Sequence, residues 1–211
     1  MLGAIVFVVY ILLGIYITAR FIKKLDIIKL FWLGSCLGLE LFMFLPVLFA
    51  LVFRLSVLSN IVSILSLVVF CALIYKKDIF RNIDCKVSLS LKVISAISVL
   101  SVFICYLFIT HTLLPEDGSL YVGQSTYGDL PMHLSMAKSL MNSRIPAEYN
   151  IYPPFRLSYP FLINALSASL MLLGMSLQAS FILPSAMLAI LAFTGFYELA
   201  RYVLKSEKKA I

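Results

Sequence analysis

Charge is scarce in this 211-residue sequence: 13% of its residues are Asp, Glu, Lys or Arg, and 62% are hydrophobic. A soluble domain of this length carries roughly a quarter of its residues as charges. The composition therefore argues against a soluble fold. The net charge of +7 does not indicate nucleic-acid binding, because the basic residues stand at the ends of apolar runs, where they set membrane orientation.

Cysteine patterns for metal or disulfide sites are also missing. The four cysteines form no CxxC pair, and the sequence has no N-x-S/T glycosylation site. Cys36, Cys71 and Cys105 lie in or beside apolar runs, where a thiol behaves as a small hydrophobe. We therefore expect neither a structural zinc site nor a disulfide framework.

Long apolar runs are what the sequence has instead. Runs of about 18 or more apolar residues are typical of transmembrane helices. The chain thus predicts an all-α fold, a polytopic transmembrane helical bundle of about six spans in the cell (cytoplasmic) membrane, with the lipid bilayer as a partner. The runs cover roughly residues 2–22, 28–53, 55–75, 91–113, 159–176 and 179–200.

These runs divide the chain into three parts. Residues 1–113 hold four N-terminal transmembrane helices, residues 114–158 form a polar loop, and residues 159–211 hold two further apolar helices and a basic tail. Lys and Arg clusters at 20–29 and 76–92 predict cytoplasmic segments, which places the polar loop outside.

The basic tail does not fit six full spans. With two further crossings after the loop, Arg201 and the lysines that follow it would lie outside, against the positive-inside tendency. Either the segment 159–176 is re-entrant or tilted, or the tendency fails at this end of the chain.

The polar loop contains the stretch "YGDLPMHLSMAKSL", residues 127–140. Asp129 and Pro131 predict the start of a helix that runs to about residue 142 and lies amphipathically at the outer interface. Asp129 and His133 are four residues apart, so they share one face of that helix. Two interpretations remain open: a helix N-cap beside a solvated histidine, or a general base or divalent-metal site.

This stretch and the following "RIPAEYNIYPPFRLSYPFLINALSASLMLLGMS" resemble the first external loop and next helix of membrane glycosyltransferases of the GT-C superfamily. The nearest likeness is to prokaryotic multi-pass members with a D-L-x-x-H-L core and a later Y-P-F-L. The resemblance covers about residues 120–200. It implies transfer of a sugar from a polyprenyl-phosphate donor to an acceptor on the outer face.

The resemblance also implies roles for individual residues. Asp129 would be the base or metal ligand and His133 its neighbour in the site, with Mg or Mn as the divalent metal. By charge, Arg144 and Arg156 are candidates for the donor phosphate. Tyr152 and Tyr159 would line the lipid or sugar cleft. Because such enzymes have more spans and a second acidic motif, we expect an N-terminal portion or a shortened relative.

Glu40 supports a different function. It stands in the middle of an apolar run, where an ionisable group costs about 2.5–3.5 kcal/mol. We expect it to be buried and protonated between helices, with Gly34 and Gly38 allowing close approach. As a coupling group it would indicate a transporter or flippase-like protein. A third alternative is a non-catalytic membrane scaffold whose external loop binds a partner.

Overall fold

The fold is helical, as the apolar runs predict. The computed structural model describes residues 2–23, 25–75, 89–124 and 126–210. An antiparallel hairpin, which was not predicted, follows the fourth helix. The elements in these ranges are α1 (Leu2–Phe21), α2 (Ile27–Phe53), α3 (Val57–Leu73), α4 (Leu91–His111), β1 (Leu113–Glu116), β2 (Ser119–Val122), α5 (Leu130–Leu140), α6 (Leu162–Leu172), α7 (Leu177–Leu204) and the single turn α8 (Glu207–Ala210).

Within the described ranges, four helices are long and apolar enough to cross a membrane: α1, α2, α4 and α7. The expected six spans are not confirmed, because α3 has 17 residues and α6 only 11. At 1.5 Å per residue, α6 is about 16 Å long against a hydrocarbon core of about 30 Å. Pro160 precedes this helix, and Gly174, with a left-handed φ of 84°, follows it. Both residues keep the apolar run 159–176 from being one helix.

Four helix ends meet at one end of the bundle, which we call the loop end. The Gly3 amide donates to the Leu173 carbonyl at 2.9 Å, which places the start of α1 beside the end of α6. The Gln178 side chain donates to the Leu113 carbonyl at 2.8 Å, which places the start of α7 beside the end of α4. The chain therefore returns to the loop end after α6 instead of crossing.

The opposite end of the bundle, the tail end, gathers the remaining helix ends. Arg20 donates to the Ile74 carbonyl at 2.9 Å, and the Ser90 amide donates to Glu207 at 3.4 Å. The basic tail thus lies at the same end as Arg20, which favours the non-crossing interpretation of segment 159–176. Residues 76–88, predicted to be a cytoplasmic linker and including Cys85, lie outside the described residues.

Glycines allow α1 and α2 to touch backbone to backbone, as predicted for Gly34 and Gly38. A Cβ built at Gly38 would lie 2.5 Å from the Tyr10 carbonyl oxygen, and Gly34 faces Gly14. The Tyr10 hydroxyl shares a 2.7 Å hydrogen bond with Ser63 of α3, inside the apolar core. Small residues and buried polar pairs of this kind hold helices together where lipid removes the hydrophobic drive.

Glu40 is exposed on α2, so the expectation of a group buried between helices is wrong. Gly38 faces α1, and a residue two positions further is rotated by about 200° around an α-helix, to the opposite side. The same face continues through Phe44 and Leu48, whose side chains are 53% and 57% exposed. The carboxyl group therefore lies on an exposed and otherwise apolar face of α2.

Candidate functional site

The loop helix exists, but its apolar face does not point to the membrane as expected. α5 packs on α6 through Met136 and Leu140, both fully buried. Ala137 packs in a cluster with Leu130 and Leu134, together with residues of β1 and α7. Other parts of the protein therefore cover the apolar face of α5, and this helix is part of the bundle's loop end.

Asp129 precedes α5 without capping it. Its φ and ψ of −93° and −32° are helical, whereas an N-cap residue has extended geometry, and its side chain makes no capping hydrogen bond. The carboxylate is exposed and lines a pocket of about 460 Å³ together with His133. The other residues around this pocket, which we call the acidic pocket, are Thr126, Tyr127, Gly128 and Leu130.

His133 is held by a residue that the sequence analysis did not select. Its Nδ1 lies 3.2 Å from the side-chain amide of Asn164 on α6. The Asn164 Nδ2 donates to the Met136 sulfur at 2.9 Å and also lies 3.2 Å from the His133 Nδ1. Because an amide nitrogen has two hydrogens to donate, His133 either donates from Nδ1 to Oδ1 or accepts at Nδ1 from Nδ2. With either bond, the imidazole ring of His133 is held against α6.

The two predicted tyrosines occupy different surroundings. Tyr159 contacts His133 edge-on, with ring centroids 5.7 Å apart, so it belongs to the same site. Tyr152 is 64% exposed and stacks on Phe155 at 5.0 Å. Only Tyr159 is brought together with the predicted catalytic residues.

The two predicted arginines are also separated. Arg144 lines a second pocket of about 550 Å³ beyond the C-terminal end of α5, which we call the basic pocket. Arg156 is exposed and forms an antiparallel backbone bridge with Glu148. It is not among the residues around the basic pocket. Arg54, from the turn between α2 and α3, takes that place instead.

Two signals in the sequence mark the residues that were missed. Asn164 is a carboxamide inside the apolar run "FLINALSASL", where a polar side chain needs a partner. Arg54 is a single charge between two apolar runs. Neither signal says which distant residue will be the neighbour, which depends on helix packing.

A divalent metal has few protein ligands here. No group of three or more His, Cys, Asp and Glu side chains occurs among the residues that the structure describes. Asp129 nevertheless fits Mg or Mn, because its exposed carboxylate makes no capping bond, and His133 lines the same pocket. Such ions often take one or two protein ligands and complete their shell with water and substrate phosphate.

Protein-family models, curated proteins and solved structures give no match to this chain. The likeness of residues 120–200 to GT-C enzymes therefore remains an expectation, which these comparisons neither support nor contradict.

Proposed function

We propose that this chain is a GT-C-like integral membrane glycosyltransferase, or the N-terminal portion of one. It would transfer a sugar from a polyprenyl-phosphate donor to an acceptor on the outer face. The observation that supports the proposal is the Asp129 carboxylate, which makes no capping bond and shares the acidic pocket with His133. A carboxylate and an imidazole in one pocket are groups that can take a proton from an acceptor hydroxyl.

The proposed reaction is a substitution at the anomeric carbon of the donor sugar. The acceptor oxygen forms a bond to that carbon, the bond from carbon to the phosphate oxygen breaks, and polyprenyl phosphate leaves. Asp129 takes the hydroxyl proton, and His133, held by Asn164, lies in the same pocket. When bound, an Mg or Mn ion held by Asp129 and His133 would stabilise negative charge on the leaving phosphate.

The proposal places the loop end on the outer face of the cell (cytoplasmic) membrane. All but four of the 17 Lys and Arg residues fall within residues 20–29, 76–92 and 201–209. These ranges contain or adjoin the helix ends that meet at the tail end. This bias is typical of cytoplasmic segments. In this proposal α3 crosses together with the four long helices, because it runs from the loop end beside Ser143 to the tail end beside Arg20. Its 17 residues are at the lower limit of about 17–25 for a span, and α6 would remain at the loop end.

Transfer of a labelled sugar in proteoliposomes tests the proposal, with a panel of polyprenyl-phosphate sugars as donors. Asp129→Asn should lower the rate by roughly 10²-fold or more, because Asn cannot take the proton. Asp117→Asn is the matched control, since Asp117 is exposed in the turn between β1 and β2, and it should retain the wild-type rate. Full transfer by Asp129→Asn would contradict the mechanism, and no transfer with any donor would favour a scaffold.

A further inference from the structure

We infer that the basic pocket is a second ligand site, which binds both the phosphate group and the hydroxyl groups of a phosphorylated sugar. Its volume of about 550 Å³ lies within the range of about 300–1,000 Å³ that is usual for small-molecule sites. The residues around it that carry the inference are Arg54, Arg144, Glu148, Tyr149 and Asn150.

Two backbone hydrogen bonds build this pocket from distant parts of the chain. The amide of Leu55 donates to the Ser143 carbonyl at 2.9 Å, and the Leu55 carbonyl accepts from the Asn142 amide at 2.7 Å. Leu55 is fully buried, so the turn between α2 and α3 is fixed against the segment after α5. Arg54 directly precedes Leu55, Arg144 directly follows Ser143, and both arginines line the pocket.

The paired arginines favour a phosphate group. A guanidinium donates two parallel hydrogen bonds to phosphate oxygens, and two such groups around one cavity give directional recognition of an anion. With Glu148, the charged side chains of Arg54 and Arg144 give the pocket a net charge of +1. That charge matches a phosphodiester, which carries a single negative charge.

The hydrogen-bond acceptors around the basic pocket favour a ligand that also carries hydroxyl groups. The Asn150 Oδ1 is buried and has no hydrogen-bond partner, whereas its Nδ2 donates to Ser135 at 2.6 Å. A buried acceptor without a donor is costly, and a ligand hydroxyl would satisfy it. The Glu148 carboxylate is a second acceptor, and the Tyr149 ring offers an apolar surface for a sugar face. An anion with several hydroxyls, a phosphorylated sugar, meets all of these features.

This site is separate from the acidic pocket. The two pockets lie at opposite ends of α5, whose 11 residues span about 16 Å at 1.5 Å per residue. The inference predicts binding and not transfer, so it stands or fails independently of the proposed glycosyltransferase activity.

Ligand binding to the protein in phosphatidylcholine nanodiscs tests the inference, with saturation-transfer NMR and calorimetry as readouts. The probes are hexose 1-phosphates, the same unphosphorylated hexoses and an octyl-phosphohexose. We expect the phosphorylated probes to bind and the plain hexoses not to bind. Tighter binding of the octyl form would assign a lipid-linked source, and tighter binding of the hexose 1-phosphate a soluble one. No binding of either phosphorylated probe would overturn the site.

Arginine variants locate the binding. Arg54→Gln and Arg144→Gln should each raise Kd roughly 10-fold or more, the scale of a lost charge-assisted hydrogen bond. Arg156→Gln is the matched control, because Arg156 is exposed but lies outside the pocket. Asp117→Asn, a charge change outside both pockets, should also leave Kd unchanged. An equal effect of Arg156→Gln, or loss of binding in Asp117→Asn, would contradict the assignment.

Chemical modification of the wild-type protein tests the same site without variants that could fail to fold. Phenylglyoxal modifies exposed arginines, and mass spectrometry measures the extent at each position. A bound hexose 1-phosphate should protect Arg54 and Arg144 and leave Arg156 reactive. Equal protection of all three arginines, or protection of none, would refute the site.

Discussion

His133 on α5 and Asn164 on α6 are joined side chain to side chain, with the Nδ1 atom 3.2 Å from the amide group. Asn164 is only 1% exposed, so the bond lies at the packed interface of the two helices. Its position at the edge of the acidic pocket means that the packing of α6 sets the orientation of a residue in that pocket. Asn164 is thus a positioning residue for His133.

Removal of Asn164 should therefore affect function more than stability. We expect Asn164→Ala to lower sugar transfer by roughly 10- to 100-fold, the usual effect of losing the group that orients a histidine. The ¹⁵N spectrum of His133 should also show a changed balance between its two neutral tautomers. Ser167→Ala is the control, because Ser167 is buried on the same helix but bonds to the Ser180 carbonyl. Unchanged transfer and an unchanged tautomer balance in Asn164→Ala would contradict the orienting role.

Replacement of Asp129 by alanine should leave the free energy of unfolding within about 0.5 kcal/mol of wild type, the usual range for surface changes. The reason is that Asp129 makes no capping bond. Ser176 provides the comparison, since it caps α7 by accepting from the Ala179 amide at 3.2 Å. Ser176→Ala should cost about 1 kcal/mol. Denaturation in detergent measures both variants, and a matching loss in Asp129→Ala would restore the capping role.

The close contact between α1 and α2 at their glycines predicts that adding one methyl group at Gly38 destabilises the protein. Gly38→Ala would place a Cβ 2.5 Å from the Tyr10 carbonyl oxygen, so the helices must move apart. We expect a loss of about 1–3 kcal/mol in unfolding free energy, as for other overpacked cores. Gly128→Ala should be silent, because the space around that position is open. A stable Gly38→Ala protein would mean that the two helices are not in backbone contact.

Glu40→Leu should stabilise the protein in a bilayer. Leucine removes an ionisable group from an apolar helix face, where such a group costs about 2.5–3.5 kcal/mol at most on insertion scales. Glu198→Leu should have the opposite effect, because Glu198 pairs with Arg201 at 2.9 Å. Thermal unfolding in nanodiscs measures both. A loss of stability in Glu40→Leu would show that the carboxyl group has a partner.

Single cysteines at Glu116 and Lys205 test the orientation of the bundle. In a background with all four native cysteines changed to alanine, a membrane-impermeant maleimide should label position 116 in intact cells. Position 205 should react only after permeabilisation, because the two residues lie at opposite ends of the bundle. Labelling of both positions from the same side would contradict a non-crossing α6.

The positions of helices follow from local sequence to a large extent. The run of apolar residues fixes α1, α2, α4 and α7, and Asp129 with Pro131 marks the start of α5 within one residue. The unpredicted hairpin also has a local signal, Asp117-Gly118, whose positive φ angles of 49° and 77° suit a tight two-residue turn. These features depend on residues close together in the chain.

The surroundings of the site depend instead on tertiary packing. Whether Asp129 caps its helix is decided by a backbone angle that the residue type does not fix. The exposure of Glu40 depends on which face of α2 the glycines turn towards α1. Arg54 reaches the basic pocket only because Leu55 bonds to the segment after α5. Sequence spacing contains none of these relationships.

The small number of contacts that α4 makes affects the order in which the helices can pair during synthesis. α4 packs mainly against α7, and only Val93 and Ile104 of its residues are buried. α7 begins at Leu177, so at about 5–20 residues per second its start is made roughly 3–13 seconds after the end of α4. During that interval α4 lacks its main helical partner, although β1 directly after it is already made. The pairing of α4 with α7 therefore depends on a helix that is synthesised late, whereas α1, α2 and α3 are neighbours in sequence and can associate while α7 is still unmade.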